Sequence, residues 1–417
     1  MPELRPFHGI RYSSSSDLAK LICPPYDIIS PDEQAGLHAL HPHNAVHLEL
    51  AQGGRSSYDA AGETFREWLA DGTLARDPQP SLYVYRQDFV DAAGTRRRVV
   101  GVTGALALEP FGDSAGVLPH ERTMAGPKED RLALMRAVRA NVSPIYAVYR
   151  GAGGLGPFYD SLENRPTAGR AQDGHGILHR LWVISAPGEV AMLQDAIAPG
   201  PLVIADGHHR YETALAYHAE RQGEPRPIGS AIGQGKNDHD SIMCFCVDAD
   251  SEELVVLPYN RVLRADVTSD ELAGRLRENL GAEQLTGDPQ EFLASSKADH
   301  AFAFVLDGAR LGVEVSDAQV VDAVGDRAAA WRALDVVALH EVVLPAVLPG
   351  GSAELAFTKE PAEIDRRVAE GWTAGVLLRA LRPADVVEVA TSGERMPQKA
   401  SYFWPKAATG LVFHELG

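Results

Sequence analysis

The residues best placed for chemistry fall in one run, Ile204-Ala205-Asp206-Gly207-His208-His209-Arg210-Tyr211-Glu212. Pro201 to Ala205 is apolar and β-branched, which predicts a buried strand. Gly207 permits a sharp turn, and a helix is predicted from His209 to about Gln222. The first N–H groups of a helix lack intrahelical acceptors, and with the helix dipole they favour an anion. His208, His209 and Arg210 add side-chain donors suited to phosphate oxygens. Asp206, at the strand end, is a candidate to orient a magnesium ion or a substrate hydroxyl. A capped helix with solvated His and Arg is the plain alternative, but an Asp-Gly-His-His-Arg run at such a junction is unusual.

Two further runs could serve the same chemistry. Leu118-Pro119-His120-Glu121-Arg122-Thr123 places a carboxylate beside a histidine at a strand end, followed by the charged stretch Lys128-Glu129-Asp130-Arg131. Phosphoryl transfer needs a carboxylate to accept the hydroxyl proton and cations to hold the phosphates. Glu121, His120 and Asp206 are therefore the candidate catalytic residues, and Lys128 and Arg131 candidate phosphate ligands. Pro24-Pro25-Tyr26-Asp27 is stiffened by two prolines and could wall a substrate pocket through Pro25, Tyr26 and Asp27. Asn44 and Glu49 follow downstream. In the tail, Lys399, Tyr402 and Lys406 could close a pocket with cations.

These residues need elements to position them. Ser30-Pro31-Asp32-Glu33 has the marks of a helix start: an N-cap serine, proline in the first turn and acids behind it. Tyr58 to Leu69 predicts a helix burying Ala61, Phe65 and Trp68. Strands at Ser81–Tyr85 and Arg97–Leu108 flank a turn at Asp91-Ala92-Ala93-Gly94, which predicts a hairpin. A helix opens at Gly126-Pro127, with Leu132, Met135 and Val138 inward and Arg131 and Arg139 outside that stripe. Gly151 to Gly176 reads as a loop or small insertion. Strands at Ser143–Tyr149, Leu181–Ile184, Met243–Val247 and Glu253–Pro258 surround the Asp206 run. Beyond Asp266, helices alternate with strands, and the tail Met396 to Lys406 reads as irregular.

The whole chain narrows the function classes. It has 417 residues, 45% apolar and 23% charged, a folded composition with room for two or three domains. With 39 basic and 57 acidic side chains its net charge is −18, which repels nucleic-acid backbones and anionic lipid. No stretch has the pattern of a signal peptide, and no apolar run approaches the roughly 20 residues of a membrane span. Cys23, Cys244 and Cys246 do not make a disulfide framework. A soluble, cytoplasmic protein is expected. Walker-type, dinucleotide-binding, nucleophile-elbow and His-Glu-x-x-His motifs are absent.

The motifs quoted above, with Arg5-Pro6-Phe7, Gly126-Pro127-Lys128-Glu129-Asp130-Arg131 and Met396-Pro397-Gln398-Lys399, resemble domain-of-unknown-function family 1015 in order from end to end. Pro119-His120-Glu121 followed by Asp206-Gly207-His208-His209-Arg210 is also similar to the core of ParB/sulfiredoxin-like proteins, most of all the free serine kinases. Those enzymes phosphorylate L-serine with a nucleotide and magnesium. The resemblance implies Glu121 as general base, with Asp206, Gly207, His208, His209 and Arg210 holding the nucleotide phosphates. It departs in the longer interval between Glu121 and Asp206. Sulfiredoxin's nucleophilic cysteine is replaced here by His208, and no ParB-type DNA reader is present.

The expected fold is α/β (mixed α+β): a ParB/sulfiredoxin-like nucleotide-binding core at 96–265 with an insertion at 151–180, an N-terminal segment 1–95 and a C-terminal segment 266–417. The expected function is a nucleotide-dependent small-molecule kinase using ATP or ADP and Mg²⁺ on free L-serine or a similar hydroxy compound. The alternative is a CTP- or ATP-binding regulator without turnover. Expected partners are the nucleotide and a small substrate, not nucleic acid or membrane, with a homodimer as the oligomeric prior.

Overall fold

The structure is a computed structural model describing residues 1–14, 16–53, 56–112, 115–121, 126–151, 154–222, 238–348, 350 and 353–417. The chain divides into two compact units. The first comprises Met1–Pro119, Thr123–Leu254 and Pro405–Gly417, and the second His120–Arg122 and Val255–Trp404.

The first unit is built on a nine-stranded mixed sheet. Its strands are β1 (Leu4–Arg5), β2 (Leu82–Val90), β3 (Arg96–Ala107), β4 (Val117–Pro119), β5 (Ile145–Tyr149), β6 (Gly169–Gln172), β7 (Leu178–Ile184), β8 (Leu202–Asp206) and β9 (Ser241–Asp248). The order across the sheet is β4-β8-β5-β9-β3-β2-β7-β6, with β1 also on β3. β8 runs parallel to β4, and β9 parallel to β5; the other neighbours are antiparallel. β5, β8 and β9 are buried almost throughout, consistent with their nearly unbroken apolar sequences. The expected hairpin is β2–β3, with Tyr83 opposite Thr103. Both strands run longer than their apolar cores.

The helices of this unit that bear on the site are α1 (Pro31–Leu40), α2 (Ser56–Ala70), α3 (Gly126–Val138) and α4 (His208–Arg221). Ser30 caps α1, its Oγ accepting from Glu33 N at 3.2 Å. α2 buries Ala61, Phe65 and Trp68 as the periodicity predicts. α3 packs against both α2 and α4. Its inward stripe differs from the prediction: Leu134, Met135 and Val138 are buried, Leu132 is half-buried, and Arg131 is turned inward at 7% exposure. The 151–176 stretch is also more ordered than expected, since Gly156–Ser161 is helical and β6 forms the sheet edge. The core joins Leu82, Val84, Val102, Ile145, Ile204 and Tyr211 with Cys244 and Cys246, whose sulfurs lie 3.5 Å apart. Both thiols are free and buried, in keeping with the absence of a disulfide framework.

The second unit holds β10 (Val255–Pro258), β11 (Asn260–Arg264), β12 (Glu283–Gln284), β13 (His300–Leu306), β14 (Ala309–Val315), β15 (Glu354–Thr358), β16 (Ala374–Leu378) and β17 (Ser401–Trp404). Six of them form an antiparallel sheet in the order β12-β14-β13-β16-β11-β15. Its core contains Val262, Ala301, Ala303, Val305, Ile364 and Leu377. The tail expected to be irregular contributes β17, which pairs antiparallel with β10. The pairing is invisible locally because the partner strand lies far away in sequence. A short helical turn at Ala329–Arg332 is followed by a continuous helical stretch from Asp335 to Val347 that contains a π-helical turn at Leu339–Val343. Among the described residues no helix is long and apolar enough to cross a membrane.

Candidate functional site

The turn between β8 and α4 requires glycine. Gly207 has φ +90°, and a Cβ there would lie 2.9 Å from Ile145 Cγ2 and 3.0 Å from Arg210 Nε. Only a residue without a side chain satisfies both the backbone and the space. α4 then starts at His208, with Tyr211 N donating to Gly207 O at 2.9 Å. It turns His208, Tyr211, Ala214 and Tyr217 inward.

Asp206 ends the strand as a half-buried carboxylate between two buried cations. Arg210 Nη2 donates to its Oδ2 at 2.5 Å, and Lys406 Nζ pairs with its Oδ1. Burial alone raises the Asp206 carboxyl, but the charges of Lys406 and Arg210 outweigh it and hold the group below the ordinary carboxylate range. Burial, with the Asp206 carboxylate adding to it, pushes the Tyr146 phenol well up. Lys406 is anchored through its carbonyl, which accepts from Gln87 Nε2 at 2.8 Å. The tail cation suggested by the sequence is thus placed on the turn.

Arg210 is the hub. Its Nη1 donates to Pro144 O at 2.5 Å and Ser143 Oγ at 3.2 Å. Ser143 Oγ donates to Glu49 Oε1 at 3.0 Å, and Tyr26 N donates to the same oxygen at 3.3 Å. Arg131 Nη1 donates to Glu49 O at 2.9 Å, and its guanidinium carbon lies 4.2 Å from the Tyr26 ring centroid. Burial works against the Arg210 charge, while Asp206, Asp27, Tyr26 and Glu49 support it. Burial, with Asp27 adding to it, pushes the Tyr26 phenol up to about 12 against the pull of Arg210 and Arg131. A cavity of about 40 Å³ is lined by Glu49, Arg131, Ser143 and Arg210.

This hydrogen-bond chain joins three runs that the sequence offered separately: 24–27, 128–131 and 206–210. Lys128 Nζ reaches Glu212 Oε2 on α4 at 2.5 Å. Arg131 is directed into this network, contrary to its expected place outside the α3 stripe. Asn44 braces the chain locally, Nδ2 donating to Lys20 O and Ile22 O and Oδ1 accepting from Val46 N. Ser143 had no sequence signal; it is an ordinary residue at the head of a strand, and only its position beneath Arg210 gives it a role.

The magnesium expected on Asp206 does not fit that carboxylate. Both of its oxygens are engaged by cations, so a dication there would meet Lys406 and Arg210 at close range. Asp206 instead binds the two basic side chains to the turn.

His120 and Glu121 belong to the second unit. Glu121 bridges Met396, Met396 N donates to His120 O at 2.8 Å, and Lys399 N donates to Glu121 Oε2 at 3.2 Å. His120 is buried, its Nε2 3.0 Å from Ser401 Oγ. Lys399 takes a left-handed backbone, φ 55°, and carries its ammonium 5.3 Å from the Tyr259 ring centroid. The predicted Pro-His-Glu and Met-Pro-Gln-Lys runs therefore meet within this unit. Arg122 and Thr123 lie outside the described residues.

A mixed α/β fold with a basic strand–glycine–helix turn is the class these observations define. The sequence matches the family described as "Protein of unknown function (DUF1015)" over residues 4–337, and the chain belongs to that family. No curated protein matches it. Among solved structures it is similar to a variant of a free serine kinase in complex with ADP, at 12% identity and a TM-score of 0.36, covering 75% of this chain and 97% of that one. It is similar to a free serine kinase in complex with AMP at 14% identity and 0.37, covering 72% and 90%. A third is SbnI with a C-terminal truncation from Staphylococcus aureus, at 10% identity and 0.37, covering 74% and 85%.

Proposed function

We propose that this chain is a nucleotide-dependent phosphotransferase that phosphorylates the hydroxyl of a small molecule, free L-serine or a close analogue. The observation that carries the reading is the β8–α4 turn: a left-handed glycine at a helix start with buried Arg210, Lys406 and His208 gathered beside one half-buried carboxylate. In a chain of net charge −18, a buried cationic cluster at a helix N-terminus suits an anionic ligand. His208, His209 and the backbone of the turn would contact the phosphates of ATP or ADP, with Arg210 and Asp206 holding the turn in shape. Glu121 would accept the hydroxyl proton, an assignment that rests on the likeness of its Pro-His-Glu motif to that of the free serine kinases. Tyr26 and Asp27 are proposed to border the acceptor.

The test is incubation with ATP or ADP, Mg²⁺ and L-serine, followed by detection of phosphoserine. Absence of product from both nucleotides across a panel of amino acids and small alcohols would sink the reading. Glu121→Gln should lower turnover by about 10²–10⁴ and leave nucleotide binding intact.

A second reading, a nucleotide-binding regulator without turnover, is favoured by the way Asp206 and Arg210 satisfy each other. Arg210 is held by Asp206, Ser143 Oγ and the Pro144 carbonyl. Calorimetry showing saturable nucleotide binding with no product, and indifference of every property to Glu121→Gln, would select it.

A further inference from the structure

At the other end of α4 lies a cluster that the proposed chemistry does not use. His218 stands in the last turn of that helix, and His239 and Asp240 lie in the short 3-10 turn Asp238–Asp240 that leads into β9. One ligand atom from each of the three lies within 4.8 Å of the others. His218 Nδ1 is 3.1 Å from Asp240 Oδ1, and His239 Nε2 is 3.9 Å from the same oxygen. His239 is 6% exposed, and His218 and Asp240 are half-buried.

We propose that His218, His239 and Asp240 form a binding site for a divalent transition metal, with zinc as the best-suited ion. Zinc holds imidazole nitrogens and carboxylate oxygens at about 2.0–2.2 Å in a tetrahedron, which sets neighbouring ligand atoms about 3.3–3.6 Å apart. The two separations from Asp240 fall on either side of that edge and no pair exceeds 4.8 Å, so side-chain rotation that draws the two imidazoles together would bring the three atoms onto one ion. Two imidazoles with one carboxylate favour zinc, nickel or copper over magnesium or calcium, which prefer all-oxygen shells. A fourth position is left for water. The C-terminal end of a helix, where the dipole is negative, also favours a cation.

The site is separate from the nucleotide turn. With about 1.5 Å of rise per residue, the ten residues from His208 to His218 span roughly 15 Å along the helix axis. The metal's consequence is structural: it clamps the end of α4 to the start of β9. Asp240 also accepts at its backbone from Leu108 N on the β3 side, at 2.9 Å, so the clamp reaches the sheet.

The experiment titrates the full chain, freed of metal by chelator and exchange, with zinc chloride and separately with magnesium chloride in a calorimeter. The expected result is saturable zinc binding at one ion per chain, with a dissociation constant on the order of a micromolar or tighter, and no binding of magnesium at that concentration. His218→Gln and Asp240→Asn should each weaken zinc binding by about tenfold or more. Saturating zinc should raise the thermal midpoint of the unsubstituted chain and not that of His218→Gln. His218 is half-buried and on a helix end, so this variant is expected to fold, with circular dichroism as the check. Absence of saturable zinc binding by the unsubstituted chain overturns the proposal. So does zinc binding of unchanged affinity in both variants, which would place the ion on other histidines. Neither outcome bears on phosphotransfer, which is assayed without zinc.

Discussion

Asp206 stays ionised inside the first unit because two cations share it, so its dependence on each is measurable. Lys406→Met leaves the carboxylate with Arg210 alone. Because Arg210 still neutralises the carboxylate, the loss is expected to fall below that of a buried pair broken outright, at about 1–2 kcal/mol. Urea unfolding at pH 7 should show the loss. In a double-mutant cycle, Lys406→Met with Asp206→Asn should cost less than the sum of the two single variants, and strict additivity would mean the pair does not interact. The pH dependence follows from the carboxyl's depressed proton affinity. The unfolded chain binds this proton at a higher pH than the native one, so the pair's contribution is complete above about pH 4 and is lost as the pH falls below that. Gly207→Ala tests the turn from the backbone side. It forces a Cβ toward Ile145 and Arg210 in a left-handed conformation, and a cost of about 2 kcal/mol with loss of nucleotide binding is expected.

At the scale of elements, Ser143 decides whether the network is a physical connection or a set of neighbours. It bridges the Arg210 guanidinium and the Glu49 carboxylate, both buried. Ser143→Ala leaves each with one unsatisfied hydrogen-bonding site, and a loss of about 1–2 kcal/mol is expected on urea unfolding. A neutral result would mean the bridge contributes nothing. The elements carrying this network were legible in the sequence to different degrees. The β8–Gly207–α4 junction, the Ser30 cap and the β2–β3 hairpin follow from local chemistry: a strand run, a glycine, a serine before a proline. The inward turn of Arg131 was not legible, because the expected stripe Leu132-Met135-Val138 and the observed Arg131-Leu134-Met135-Val138 share two members and differ only by a small rotation of the helix. An arginine is ordinarily assigned to solvent unless its partner is known. That partner, the Glu49 carbonyl, lies 82 positions away. β17 and the placement of Lys406 were hidden for the same reason, since both depend on partners distant in sequence.

For the whole molecule, two histidines with strongly lowered proton affinity shape the response to acid, one in each unit: His414, which is buried, and His340, which is half-buried. His414 is 2% exposed; its Nδ1 lies 3.2 Å from Asn141 Oδ1, and among the described residues Nε2 has no hydrogen-bond partner. A second proton would therefore sit on a buried donor with nothing to accept it, and burial lowers the histidine to about 3. In the second unit, His340 lies on the π-helical turn with Nε2 likewise unpartnered among the described residues, and burial with the nearby Arg261 charge lowers it to about 4. Unfolded, each histidine takes up its proton near pH 6.5. Between that value and the native one, only the unfolded chain is protonated, so stability is complete above pH 6.5 and declines as the pH falls. Each histidine contributes a slope of up to about 1.4 kcal/mol per pH unit. Ordinary carboxylates stay charged above pH 5, which makes pH 7.5 to 5 the window in which histidines dominate. His414→Gln and His340→Gln should each flatten the dependence of urea unfolding on pH across that window. If the two units unfold in separate transitions, each variant should flatten only the transition of its own unit. Slopes identical to the unsubstituted chain in both variants would show that these histidines are not held neutral by the fold.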